Sequence, residues 1–145
     1  MTTNGQTVRL EICSAIDMLD SVYVVTDHIG RMLGFDPETR HWVGMAVREA
    51  VINAIKHGNN LDVRKHVFIE FTSRPAASPA ELMVRVRDQG KGFDPKTVPD
   101  PLAPENVLKS SGRGIFFMRT FMDDVSIERT HDGGMEVRMT KRVPG

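Results

Sequence analysis

The sequence predicts an α+β fold, a two-layer α/β sandwich with helices on one face of a mainly antiparallel sheet. Three observations predict it. Five short stretches alternate polar and apolar residues as half-buried strands do. Hairpin-type connections join two pairs of them: the Pro/Ala/Ser-rich Ser73 to Ala80, and Asp132-Gly133-Gly134. Apolar residues at three-to-four spacing mark helices after the first strand and after the third. The order β-α-α-β-β-loop-α-β-β therefore stacks one helical layer on one sheet. A single domain over 1–145 is expected.

Thr7 to Ile12 reads as the first strand. Ser14 is placed to cap a helix from Ala15 to about Leu33, with Ile16, Leu19, Val22 or Tyr23, and Ile29 inward and Gly34 ending it. Asp36-Pro37-Glu38 then has the residue types of a helix start: N-cap, first helical position and acidic first turn. That second helix runs to His57-Gly58. Val43, Val47, Val51 and Ile55, with Ala46, Ala50 and Ala54, form its buried stripe. Strands follow at Lys65 to Thr72 and Leu82 to Asp88. After a long glycine- and proline-rich loop comes a short apolar helix, Gly114 to Met122, and then strands at Val125 to Arg129 and Met135 to Met139. Trp42, Phe116, Phe117, Phe121 and the methionines are expected in the core.

Charge is balanced, 19 Lys and Arg against 19 Asp and Glu, so no overall field favours nucleic acid. The one cysteine, Cys13, has no partner for an intrachain disulfide and no metal-ligand spacing around it, which suits a buried small hydrophobe. No apolar run reaches the roughly 20 residues of a membrane span, and the N-terminus lacks a signal peptide's pattern. A soluble cytoplasmic protein is expected.

Three segments carry chemistry. In the second helix Glu49, Asn53 and His57 stand four residues apart, which at about 100° per residue puts a carboxylate, an amide and an imidazole in one slowly drifting stripe. Burying such groups costs free energy unless they meet partners. In Asp88-Gln89-Gly90-Lys91-Gly92 a carboxylate at a strand end can accept a hydrogen bond from an exocyclic amine, and the glycines let backbone approach a flat ligand. Ser110-Ser111-Gly112-Arg113-Gly114 leads into a helix, where free N–H groups suit phosphate. Taken singly, the last two also suit an ordinary turn and a plain helix start.

Together and in this order, the three resemble the nucleotide-binding fold of the GHKL group, which includes gyrase, MutL and histidine-kinase ATPase domains. Glu49-x-x-x-Asn53-Ala54-x-x-His57-Gly58 looks like its N box, Asp88-x-Gly90-x-Gly92 its G1 box and Gly112-x-Gly114 its G2 box. The compact N box ending His-Gly-Asn, the Gly-Phe-Asp after the G1 box, and the Gly-Arg-Gly-Ile…Met-Arg-x-Phe-Met-Asp-Asp-Val run look like the anti-sigma-factor serine/threonine kinases of the sigma-B and sporulation sigma-F type. The likeness runs from the first strand to about Lys141. No phosphoacceptor-histidine domain and no transducer domain is expected beside it.

The resemblance implies ATP and Mg²⁺ as cofactors. Asn53 would hold Mg²⁺, and Glu49 would act as general base on an incoming hydroxyl or orient a water. Asp88 would read the adenine amine, with Gly90 and Gly92 lining the base. Residues from about Lys96 to Ser111 would form a lid over the phosphates, and Gly112, Arg113 and Gly114 would contact them, with His57 and Lys109 as further candidates. Two places depart from the family: Ser110 where the sporulation-type kinases carry an arginine, and Gly134-Met135 where a Gly-Thr is common. The implied partners are a sigma factor, which is sequestered, and a STAS-type antagonist (an anti-anti-sigma factor), which is phosphorylated on serine; a homodimer is implied too. The alternative is a non-catalytic module of the same fold that binds ATP or a partner.

Overall fold

The computed structural model describes residues 6–75, 79–90 and 110–144, the backbone alone at 110–113. A five-stranded antiparallel sheet has the order β1-β2-β3-β5-β4, with β1 at Gln6–Cys13, β2 at His66–Arg74, β3 at Glu81–Arg87, β4 at Asp124–Arg129 and β5 at Met135–Arg142. Helices α1 (Leu19–Met32), α2 (Pro37–Asn53) and α3 (Ser110–Phe121) form the second layer. Among the described residues no helix is long and apolar enough to cross a membrane.

Strand alternation decides what lies between the layers. Val67, Ile69 and Phe71 of β2 and Leu82, Val84 and Val86 of β3 are buried together with the α2 stripe Val43, Ala46, Val47, Ala50, Val51 and Ile55. The other sheet face is polar. On it Arg9, Glu70, Arg85, Glu136 and Arg138 alternate in sign across four strands, at 2.9 to 3.6 Å between neighbours. Such solvent-facing pairs are each worth no more than about 1 kcal/mol, so the sheet is held by its buried side.

The helix boundaries follow local chemistry. Asp36 caps α2, its Oδ1 accepting from Thr39 N at 2.7 Å, and Pro37 opens the helix. Gly34 takes φ +83° where the chain turns out of α1, a conformation that L side chains avoid. Ser14 does not cap the first helix. Its hydroxyl donates to Lys65 O at 2.8 Å, and a 3₁₀ turn at Ile16–Met18 leads into α1 instead. Ile16, expected inward, is 42% exposed because that turn breaks the helical period, while Leu19, Val22 and Ile29 are buried as expected. Phe116 departs likewise, at 58% exposed, since Ile115 and Met118 of α3, and Met122 just after it, take the core side. Cys13 is half-buried rather than enclosed.

Candidate active site

The last turns of α2 set the site. After Asn53 the helix widens: Ala54–Gly58 is a π turn, closed by Asn59 N to Ala54 O at 2.8 Å. Widened turns of this kind recur at functional sites. The change of pitch ends the expected stripe, so Glu49 and Asn53 are half-buried and His57 is exposed.

Glu49 and Asn53 face α3. A Cβ at Gly114 would lie 3.0 Å from Asn53 Nδ2 and 3.3 Å from Glu49 Oε2, so the first turns of α3 lie directly against both side chains. At the opposite end of the same helix pair, Trp42 of α2 stacks on Phe121 of α3, ring centroids 4.3 Å apart and 6° from parallel, with Phe117 beside them. The N-terminal part of α2 thus meets the C-terminal part of α3 and the reverse: the helices pack antiparallel. Trp42, Glu49 and Asn53 share one face of α2 by helical spacing; Gly114, Phe117 and Phe121 share one face of α3. Helix α3 begins four residues earlier than the apolar pattern suggested, so Ser110 to Arg113 are helical backbone, not the approach to a helix. Gly92, Lys109 and most of the lid expectation (96–109) lie outside the described residues, as do the side chains of Ser111 and Arg113.

Asp88 forms the other end. It follows β3, is 4% exposed, and its Oδ1 accepts from Gly90 N at 2.9 Å and Met135 N at 3.2 Å. Burial pushes its carboxyl up from the ordinary 3.8, against the pull of those two N–H groups. Three glycines press on it. A Cβ at Gly58 would strike Asp88 Oδ2, one at Gly134 would strike the Asp88 carbonyl oxygen, and one at Gly90 would strike the Gly58 carbonyl oxygen. The α2 terminus, the turn after β3 and the start of β5 can therefore meet only as glycines. Met135 replaces a threonine of the related pattern, yet its main chain pairs with Asp88 in both directions, N–H to Oδ1 and carbonyl from Asp88 N at 3.0 Å. The bonds need no particular side chain there.

Asn59 ends the His-Gly-Asn of the N box, and the sequence assigned it no site role. Its side chain is 0% exposed and bonds Ser14, His66 and Gln89. The signal was its place directly after His57-Gly58, where Asn60, the next asparagine, is exposed. Trp42 was placed in the core without its role against α3.

The arrangement fits a magnesium nucleotide. The Asn53 amide supplies a hard oxygen beside a carboxylate. Among the described residues no group of three His, Cys, Asp or Glu assembles. Around Asp88 the glycines at 58, 90 and 134 bring main chain to within contact of the carboxylate, so this end of the site is walled by backbone.

Residues 17–141 match the family model described as the histidine kinase-like ATPase domain. The serine-protein kinase RsbW of Listeria monocytogenes (serovar 1/2a) is 31% identical over 99% of this chain and 91% of its own. The anti-sigma F factor of Bacillus subtilis is 37% identical over 67% of this chain and 65% of its own. Among solved structures, the RsbU and RsbW domains of Rv1364c from Mycobacterium tuberculosis align with TM-score 0.64 at 17% identity, over 95% of this chain and 32% of that longer one. The catalytic domain of histidine kinase ThkA aligns with TM-score 0.54 at 14% identity, over 95% and 98%. The chain belongs to the histidine kinase-like ATPase domain family, among its serine-protein kinases and anti-sigma factors.

Proposed function

We propose that this protein is an ATP-dependent serine kinase that also acts as an anti-sigma factor, phosphorylating a STAS-type antagonist and sequestering a sigma factor. The observation that carries the reading is the first turns of α3 set against Glu49 and Asn53, with Asp88 buried among glycines beyond the end of the same α2 helix. The names of the relatives, a serine-protein kinase and an anti-sigma F factor, support the two activities and the class of target.

In this reading ATP supplies the phosphoryl group and Mg²⁺ offsets its charge. Asp88 accepts from the adenine amine, and the close backbone of Gly58, Gly90 and Gly134 lines the base, Gly92 with it. Asn53 holds Mg²⁺ through its amide oxygen. Glu49, one turn earlier, takes the proton from the incoming serine hydroxyl. Gly112, Arg113 and Gly114 at the start of α3, with Ser111, His57 and Lys109, contact phosphate; helix N-termini favour anions. A homodimer and a cytoplasmic location belong to the same proposal.

The first test is calorimetry of ATP binding with and without Mg²⁺, on wild type and Asn53→Ala. Binding that depends on magnesium and weakens in Asn53→Ala supports the site; a folded wild type that binds no ATP sinks it. Glu49→Ala should abolish phosphotransfer to a serine-bearing partner and leave ATP binding largely intact. Equal loss of both would remove the general-base role.

A further inference from the structure

The ladder between β2 and β3 pairs Arg74 with Glu81 and ends at Phe68 with Arg87. The next hydrogen-bonded pair in that register is His66 with Gln89, and it does not form as backbone. Side chains take its place. The Gln89 side-chain oxygen accepts from His66 N at 2.7 Å, Asn59 Nδ2 donates to His66 O at 3.0 Å, and Asn59 Oδ1 accepts from Gln89 N at 2.8 Å. On its other side the chain stays with β5, through Asp88 N to Met135 O. So β3 leaves β2 at Asp88, and the amide of Asn59 sits in the gap. Its second N–H goes to Ser14 Oγ at 2.8 Å, which uses every strong donor and acceptor site but one lone pair of the side chain.

We propose that Asn59 is the positioning residue that sets base selectivity, by holding open the β2–β3 gap from which Asp88 projects. The proposal rests on the reading of Asp88 as the group that meets the adenine amine. The physical reason is directional. Asn59 fixes the N–H of Gln89, the residue next to Asp88, and so places the main chain from which the carboxylate reaches Gly90 N and Met135 N. A hydrogen bond to an exocyclic amine weakens steeply with misalignment. Guanine carries a carbonyl where adenine carries that amine, so a guanine nucleotide gains nothing from a well-aimed carboxylate. Losing the wedge therefore weakens ATP selectively. A residue that merely stabilised the fold would weaken both nucleotides alike.

The test is calorimetry with ATP and with GTP, each in excess Mg²⁺, on the full chain. The proteins are wild type, Asn59→Ala, Ser14→Ala and Asp88→Ala. Wild type is expected to prefer ATP. Asn59→Ala should weaken ATP about tenfold and GTP less than about twofold, the scale of one or two lost hydrogen bonds. Ser14→Ala removes one acceptor and leaves the wedge in place; it should shift the preference the same way, about threefold. Equal losses for both nucleotides in Asn59→Ala overturn the proposal. If that variant does not fold, an unchanged preference in Ser14→Ala overturns it. A wild type that binds no ATP, or ATP binding indifferent to Asp88→Ala, removes the adenine reading and this proposal with it. ATP binding that Asp88→Ala weakens, with the preference intact in Asn59→Ala, removes the positioning role alone.

Discussion

The two ends of the site are built by different means. Around Asp88 the positions are fixed by backbone: three glycines admit no Cβ, two main-chain N–H groups meet one carboxylate oxygen, and Asn59 replaces a strand partner. Around Glu49 and Asn53, among the described residues, no hydrogen bond or ion pair fixes either side chain. Their place is set from a distance by the packing of α2 on α3, above all the Trp42–Phe121 stack. A group that reads a rigid planar base gains from being immobile. In the proposed reading Glu49 and Asn53 handle a proton and a metal-bound phosphate, and such groups must adapt to charge that moves. The contrast makes separable predictions for the two ends.

The largest effect is expected from Gly90→Ala. The added methyl meets the Gly58 carbonyl, so one main chain must move against the other. A loss of about 3 kcal/mol follows, seen as a fall in Tm of roughly 10 °C, with nucleotide binding abolished. A fall below about 2 °C would mean that this end yields as readily as the other, and the contrast would be lost.

Phe121→Ala comes next, at about 2–3 kcal/mol, since a half-buried ring and its stack are removed. Trp42 is the single tryptophan, so its emission reports on this contact alone. A red shift is expected, with phosphotransfer falling further than ATP affinity because Gly114 loosens from Glu49 while Asp88 keeps its bonds. Parallel loss of both activities would show that the stack supports the whole domain and not the α3 end.

Legibility in the sequence follows the same division. The layers, the strand order along the chain and the α2 stripe were readable because burial imposes periods of two and 3.6 on residue choice. That Glu49 and Asn53 meet Gly114, and Asp88 meets Gly90, was readable because the three motifs name those residues together. What escaped was set by tertiary contact. Ser14 has the residue type of an N-cap, but Lys65 and Asn59 arrive from 51 and 45 positions away and take its hydroxyl. The π turn that exposes His57 leaves no mark on the pattern of apolar residues. Helix α3 starts at Ser110 in spite of two glycines that read as loop.

Asp88→Asn probes the buried end by pH. The folded carboxyl is raised above 3.8, chiefly by burial, so its neutral form suits the fold. The stability it contributes is fully present below the unfolded value and is lost as pH rises through the folded one. The variant keeps an acceptor for Gly90 and Met135 and cannot ionise. Urea unfolding should therefore show the variant gaining on wild type as pH rises from about 3.5 to 7, while its ATP affinity drops. A difference constant with pH would mean that water reaches the carboxylate freely.

The smallest effect lies between the two ends, where the π turn leaves α2. Asn60 and Leu61 both take left-handed backbone, φ 52° and 60°, and Leu61 projects into solvent at 53% exposure. Asparagine tolerates that region; leucine does so at a cost of about 1–2 kcal/mol. Leu61 N donates to Ile55 O at 2.8 Å, so the turn that demands this conformation also closes the widened helix end. Glycine at 61 would relieve the strain and lose about 0.5–1 kcal/mol to the unfolded chain's freedom. The net expectation for Leu61→Gly is a gain of a few tenths of a kcal/mol up to about 1, measured by urea unfolding, with ATP binding unchanged. Weaker ATP binding in a stabilised variant would show that the strained turn holds Gly58 against Asp88, and would move it from linker to part of the base end.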